Sequence, residues 1–263
     1  MDVTVIRATE KPEQLVCQAA RGDYFDGYVG DTQYAELMDS VDYDEADIEA
    51  VKDYLHQRGA EMVKHHMADG HIENAAKTRS FIHKQLSRGH YGPWEHPSIT
   101  FTVKGVSRVL MAQITRHRHM SFDVQSMRYV DFSDTEAVDP QSLLDPEHFS
   151  RETGITDLDE EDREEWLQEY RLQVGQAMDI YEDMIDDGVP KEDARFVLPL
   201  GTPVNMTFSG NARTMMHVLN LRQKASSQWE IRNLSNKIAE ELENWMPYTG
   251  QWWNEHGPMK ISP

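Results

Sequence analysis

The stretch Arg116-His117-Arg118-His119-Met120-Ser121-Phe122-Asp123-Val124-Gln125-Ser126-Met127-Arg128-Tyr129 sets three cationic or proton-carrying side chains in a row and follows them with serines and another arginine. Three consecutive side chains cannot share one face of a helix or strand. A basic triplet at the end of an element therefore reaches several parts of one ligand, or two ligands. Alone, Arg-His-Arg is an ordinary solvated turn, because short motifs match by chance. The additional Ser121, Ser126, Arg128 and Tyr129 make an anion site the better reading.

Working outward, Ile99, Phe101 and Val103 alternate with Thr100, Thr102 and Lys104, the period of a half-buried strand. A short helix through Val106, Val109, Leu110 and Ile114 then delivers Gln113 and the triplet to a helix C-terminus, where cations are favoured. Apolar spacing predicts amphipathic helices from Asp44 to about Met67 and from Glu73 to Leu86. Beyond the motif, Tyr129 to Phe132 reads as a strand and Pro140 to Thr153 as irregular. Trp166, Tyr170, Val174, Met178, Tyr181 and Ile185 mark a long helix ending near Gly188 and Pro190. A shorter helix carries Glu192 and Arg195. Val204, Met206 and Phe208 form a second alternating strand, and Asn211 caps a helix holding Ala212, Met215, Met216 and Leu219. A final helix runs through Ile231, Leu234, Ile238, Leu242 and Trp245. The pattern is α+β, with more helix than strand.

The chain has 263 residues, with no clear linker, internal repeat or low-complexity tract, and reads as one domain, 1–263. Its apolar runs are short and interrupted by charge, and its first residues lack a signal-peptide pattern, so a cytoplasmic protein without a membrane span is expected. Lys plus Arg number 26 against 46 Asp plus Glu, a net charge of −20, which argues against binding nucleic acid. The acid peaks at Asp157-Leu158-Asp159-Glu160-Glu161-Asp162, the solvated start of a helix. This excess resembles proteins of salt-loving organisms, where ionic strength screens self-repulsion. Cys17 is the single cysteine and lies in an apolar helical stretch, so neither an intrachain disulfide nor a cysteine nucleophile is expected. His90 and His96 have no further ligands at zinc spacing, and no metal is expected.

The motif resembles the signature of the flavin-dependent thymidylate synthases, matching it at Arg116, His117, Arg118, Ser121, Ser126, Arg128 and Tyr129. It departs at Asp123, where the family often has Asn, and at Val124, where it often has Glu. The segment from Gly89 through His90 and Glu95 to His96 is similar to the family's upstream flavin-contacting loop. Pro190 to Arg195, followed by Leu198-Pro199, matches the region that supplies an arginine to the nucleotide. Asn211-Ala212-Arg213-Thr214, His217, Leu219 to Arg222 and Gln228 to Ile231 follow in the family's order. Ser226 stands where some relatives carry a flavin-contacting histidine. The resemblance covers roughly residues 75 to 245.

What the resemblance implies is a ThyX-like α+β fold, with helices packed around a small, mainly antiparallel sheet, assembled as a homotetramer whose active sites are shared among subunits. FAD would be contacted by His90, Glu95, Arg116, His117, Arg118, Asn211, Arg213 and His217. The substrate dUMP would be bound by Gln113, Arg116, Gln125, Ser126, Arg128, Arg195 and Arg222. Methylenetetrahydrofolate would give the one-carbon unit and NADPH the reducing equivalents. Arg222 would be catalytic, a cation beside the uracil edge doing what a thiolate does in flavin-free enzymes. The rival reading is a non-catalytic flavin- or nucleotide-binding homologue that has kept the pocket. An RNA-binding module is disfavoured by the charge.

Overall fold

In the computed structural model the structure describes residues 1–22, 71–144 and 158–257. The predicted helix from Asp44 to Met67 lies outside them. Four strands, β1 (Asp2–Ala8), β2 (Ser98–Ser107), β3 (Ser121–Val124) and β4 (Pro203–Asn211), form one antiparallel sheet in the order β1-β2-β4-β3. Nine helices accompany them among the described residues: α1 (Pro12–Gly22), α2 (His71–Ser87), α3 (Arg108–Ile114), α4 (Gln141–Leu144), α5 (Glu160–Asp186), α6 (Lys191–Ala194), α7 (Ala212–Arg222), α8 (Trp229–Trp245) and α9 (Pro247–His256).

The chain divides into two compact units, each built from three segments of the sequence. The first comprises Met1–Ile6, Thr100–Ser209 and Leu221–Lys237; the second comprises Arg7–Ile99, Gly210–Asn220 and Ile238–Pro263. In the first unit, Phe101, Val103, Val204, Met206 and Phe208 are buried, as alternation requires of strands with one face on a core. The Phe101 and Phe208 rings lie 5.4 Å apart and Phe122 and Phe208 6.1 Å. Gly105 sits at φ +70, a conformation that favours glycine, and donates its N–H to Asn205 Oδ1 at 3.1 Å. β3 pairs antiparallel with β4, setting Asp123 opposite Thr207 and Val124 opposite Met206.

In the second unit, buried Val16, Cys17 and Ala20 on α1, Ile82 and Leu86 on α2, and Trp252 and Trp253 on α9 supply the core. The indole of Trp94 donates to Thr249 Oγ1 at 3.1 Å. Glu13 accepts the Thr249 N–H at 2.7 Å and so caps α9, whose own N-cap residue, Met246, makes no side-chain bond.

Four sequence expectations need correction. Tyr129 to Phe132 is a turn, closed by the N–H groups of Tyr129 and Val130 on the Ser126 carbonyl at 3.3 and 3.0 Å, with Tyr129 77% exposed. Val106 belongs to β2 rather than to the following helix. Part of the segment read as irregular forms α4, and α8 is followed by α9 rather than closing the chain. The predicted cap is present: Asn211 Oδ1 accepts the Thr214 N–H at 2.9 Å.

Candidate functional site

The basic triplet follows α3 directly, and α3 is secured at its start. Ser107 caps it by accepting the Leu110 N–H at 3.1 Å. The buried carboxylate of Glu230, on α8, takes the Ser107 N–H at 2.7 Å and the Ser107 hydroxyl. Burial raises the Glu230 pKa against the lowering effect of these two bonds. At the other end of α3, the His117 N–H donates to the Ile114 carbonyl at 3.0 Å, and the His117 carbonyl accepts the Met120 N–H at 3.2 Å. The triplet then alternates: Arg116 and Arg118 are exposed, and His117 is buried.

Arg222 ends α7, where the helix dipole favours a cation. Its Nε–H donates to His117 Nε2 at 3.0 Å. Because that guanidinium is always protonated, His117 must offer a lone pair there and carry its proton on Nδ1. Burial, and then the like charge of Arg116, lower the Arg222 pKa. Among the described residues no carboxylate pairs with Arg116, Arg118 or Arg222. This patch is, among the described residues, short of negative charge, in a chain that is strongly acidic.

The remaining nucleotide candidates of the first unit gather at two points. Arg128 places Nε and Nη2 on one carboxylate oxygen of Glu192, at 2.9 and 2.8 Å, and Arg195 donates its Nε–H to the Glu192 backbone carbonyl at 3.0 Å. Ser126 Oγ accepts the Arg128 N–H at 3.3 Å. Gln125 is held by Asn205: its N–H donates to the Asn205 carbonyl at 2.8 Å, and its side-chain oxygen accepts the Asn205 N–H at 3.1 Å. Gln113 is half-buried on α3.

In the second unit, Arg213 pairs with Glu95, both expected to contact the flavin. His90 faces Gln85, with Nδ1 and Oε1 3.0 Å apart. Asn211 is engaged as the cap of α7. His217 lies one turn beyond Arg213 and is exposed. Cys17 is buried at 1% exposure, away from the role of a nucleophile. Sequence reasoning missed Glu192, Asn205 and Glu230 as anchors. Glu192 could have been found as the acid three residues before Arg195, which itself starts the 3-10 turn after α6, and Asn205 as a polar position on an alternating strand.

Residues 4–248 match the family model described as thymidylate synthase complementing protein. The chain belongs to this family. Two relatives named flavin-dependent thymidylate synthase, from the halophilic archaea Halobacterium salinarum and Haloarcula marismortui, are each 40% identical to it. The first similarity covers 100% of both chains, and the second covers 97% of this chain and 96% of the relative. A bacterial relative of the same name, from Geobacter sulfurreducens, is 36% identical over 66% of this chain and 68% of its own length. No helix among the described residues is long and apolar enough to cross a membrane, and no group of three His, Cys, Asp or Glu side chains among them is placed to hold a metal ion.

Proposed function

We propose that this family member is a flavin-dependent thymidylate synthase, a methyltransferase that reductively methylates dUMP to dTMP, with methylenetetrahydrofolate as carbon donor and NADPH as reductant acting through FAD. The observation that carries this reading is Arg222, partly buried, crowded by Arg116 and held by a neutral ring instead of a carboxylate. Such a cation suits the polar edge of a uracil or a phosphate, either of which supplies the missing negative charge.

The residues fit the groups assigned to them. Arg128 and Arg195, brought together at Glu192, suit a phosphate through bidentate contacts, with Gln113, Arg116, Gln125 and Ser126 completing the dUMP set. Arg222 stabilises charge developing on the uracil as its ring carbon becomes nucleophilic, which removes the need for a thiol. For FAD, His90, Glu95, Arg116, His117, Arg118, Asn211, Arg213 and His217 are the assigned contacts, of which Glu95 and Arg213 already pair. When bound, FAD would supply the hydride needed to reduce the transferred one-carbon unit to a methyl group.

The enzyme is proposed to act as a cytoplasmic homotetramer, with residues 1–263 working as one domain and several subunits contributing to each site. Purified protein should carry oxidised-flavin absorbance, elute as a tetramer, and form thymidylate from dUMP only with both co-substrates present. Flavin and dUMP binding without turnover would favour the rival, a non-catalytic homologue.

A further inference from the structure

We propose that His117 is a positioning residue for Arg222, an inference that rests on the thymidylate synthase reading above: its neutral Nε2 holds the guanidinium at the catalytic position without neutralising it. The guanidinium has reasons to leave. It is partly desolvated, and Arg116 repels it. A free arginine side chain also has several rotatable bonds and considerable rotamer entropy. The Nε–H to His117 bond at 3.0 Å is the contact that opposes this, and it starts from a ring whose backbone is tied on both sides, to Ile114 and from Met120.

The choice of acceptor matters chemically. Arg128 and Arg213 are paired with Glu192 and Glu95, and Arg171 with Asp139. A carboxylate beside Arg222 would cancel much of the charge meant for the substrate, and it would raise the pKa instead of lowering it. An imidazole lone pair orients the fork while leaving its full charge available. It engages one of the five guanidinium N–H groups, and among the described residues the four on Nη1 and Nη2 remain for substrate.

The test is a double-mutant cycle on the full-length protein with saturating FAD, its flavin content checked by absorbance. His117→Phe and His117→Leu remove the acceptor, His117→Gln restores a neutral one, and each is made in the parent and in Arg222→Lys. In the parent background, the Phe and Leu variants should lower kcat for thymidylate about tenfold, a coupling of the size found between contacting residues. The Gln variant should recover most of that loss. In the Arg222→Lys background the same changes should alter kcat less than about twofold. Equal losses in both backgrounds would overturn the inference while leaving the enzyme assignment intact, since His117 would then act through the flavin alone. If the unmodified protein forms no thymidylate, the function reading fails separately, and the cycle is read instead on dUMP affinity from flavin absorbance, with the same coupling expected. Additive effects there would overturn the inference as well.

Discussion

Arg128 directs both Nε and Nη2 onto a single carboxylate oxygen of Glu192, so an arginine expected at the phosphate of dUMP already has an anionic partner. Both side chains are about half exposed, at 53% and 49%, which puts the pair among surface ion pairs worth roughly 0.2–1 kcal/mol. Glu192 therefore competes with the nucleotide. Changing Glu192 to Gln should lower the KM for dUMP by about two- to fivefold with kcat unchanged. A KM that rises in steady-state assays would mean that Glu192 orients Arg128 for the phosphate.

Glu13 gives a pH prediction with a defined sign. Complete burial pushes its pKa up to about 8, more than its bonds to Thr249 and Tyr248 lower it. A carboxyl raised above its unfolded value of 4.5 contributes stability that is full below that pH and is lost as pH rises through 8. The nearby His83 works in the opposite direction: burial and the charge of Arg79 lower its pKa to about 4, so its contribution grows between about 4 and 6.5 and is then constant. Between pH 6.5 and 8 only the Glu13 effect should remain of the two. Over that range at constant salt, the melting temperature of the parent should fall relative to Glu13→Gln, which keeps an acceptor for Thr249 and cannot ionise. A gap between the two proteins that does not change with pH would contradict this.

The acidic composition leads to a salt prediction. With a net charge of −20, self-repulsion opposes folding, and the two relatives similar over the whole chain come from halophilic archaea. The melting temperature should rise between low and molar potassium chloride as the repulsion is screened. A flat profile would show that the acid excess lies too far apart on the surface to matter.

Long periodic segments were readable from the sequence: α7, α8 and the alternating parts of β2 and β4 because burial enforces their period, and α5, which buries only Met178 and Tyr181, because its large apolar residues recur at helical spacing. Of the short elements, α3 and α6 were expected but β3 and α4 were not. β3 has only four residues, inside a stretch whose polar side chains look like a ligand site, and its pairing with β4 comes from the partner strand rather than from its own pattern. Tyr129 to Phe132 has the β-prone residues of a strand, yet local bonds to the Ser126 carbonyl make it a turn. Pro247 and Gly250 look like breakers. In fact Pro247 starts α9, where a missing N–H costs nothing, and Gly250 is required because a Cβ there would lie 2.4 Å from Glu243 Cα. Of the site, the arginines were visible from the motif blocks. His117 and Glu95 were visible with them, but the pairings of these arginines with His117, Glu192 and Glu95 join residues 64 to 118 positions apart, which no local pattern encodes.

Arg222→Lys tests the mechanism at its centre. Lysine keeps the positive charge but loses the planar fork and, with it, the Nε–H that His117 accepts at 3.0 Å. The ammonium is then free to move away from Arg116 toward water, the direction that burial and like charge already favour. Flavin absorbance should largely survive, because Arg222 is not itself among the assigned FAD contacts and the His117 backbone stays tied to Ile114 and Met120. Thymidylate formation should fall by about two orders of magnitude or more, the scale seen when one preorganised contact to a developing charge is removed. NADPH oxidation should persist, since reducing the flavin needs no activated uracil. A Lys variant that makes thymidylate at the parental rate with saturating dUMP would show that charge alone suffices, and that neither the fork nor its bond to His117 has a part in activating the ring.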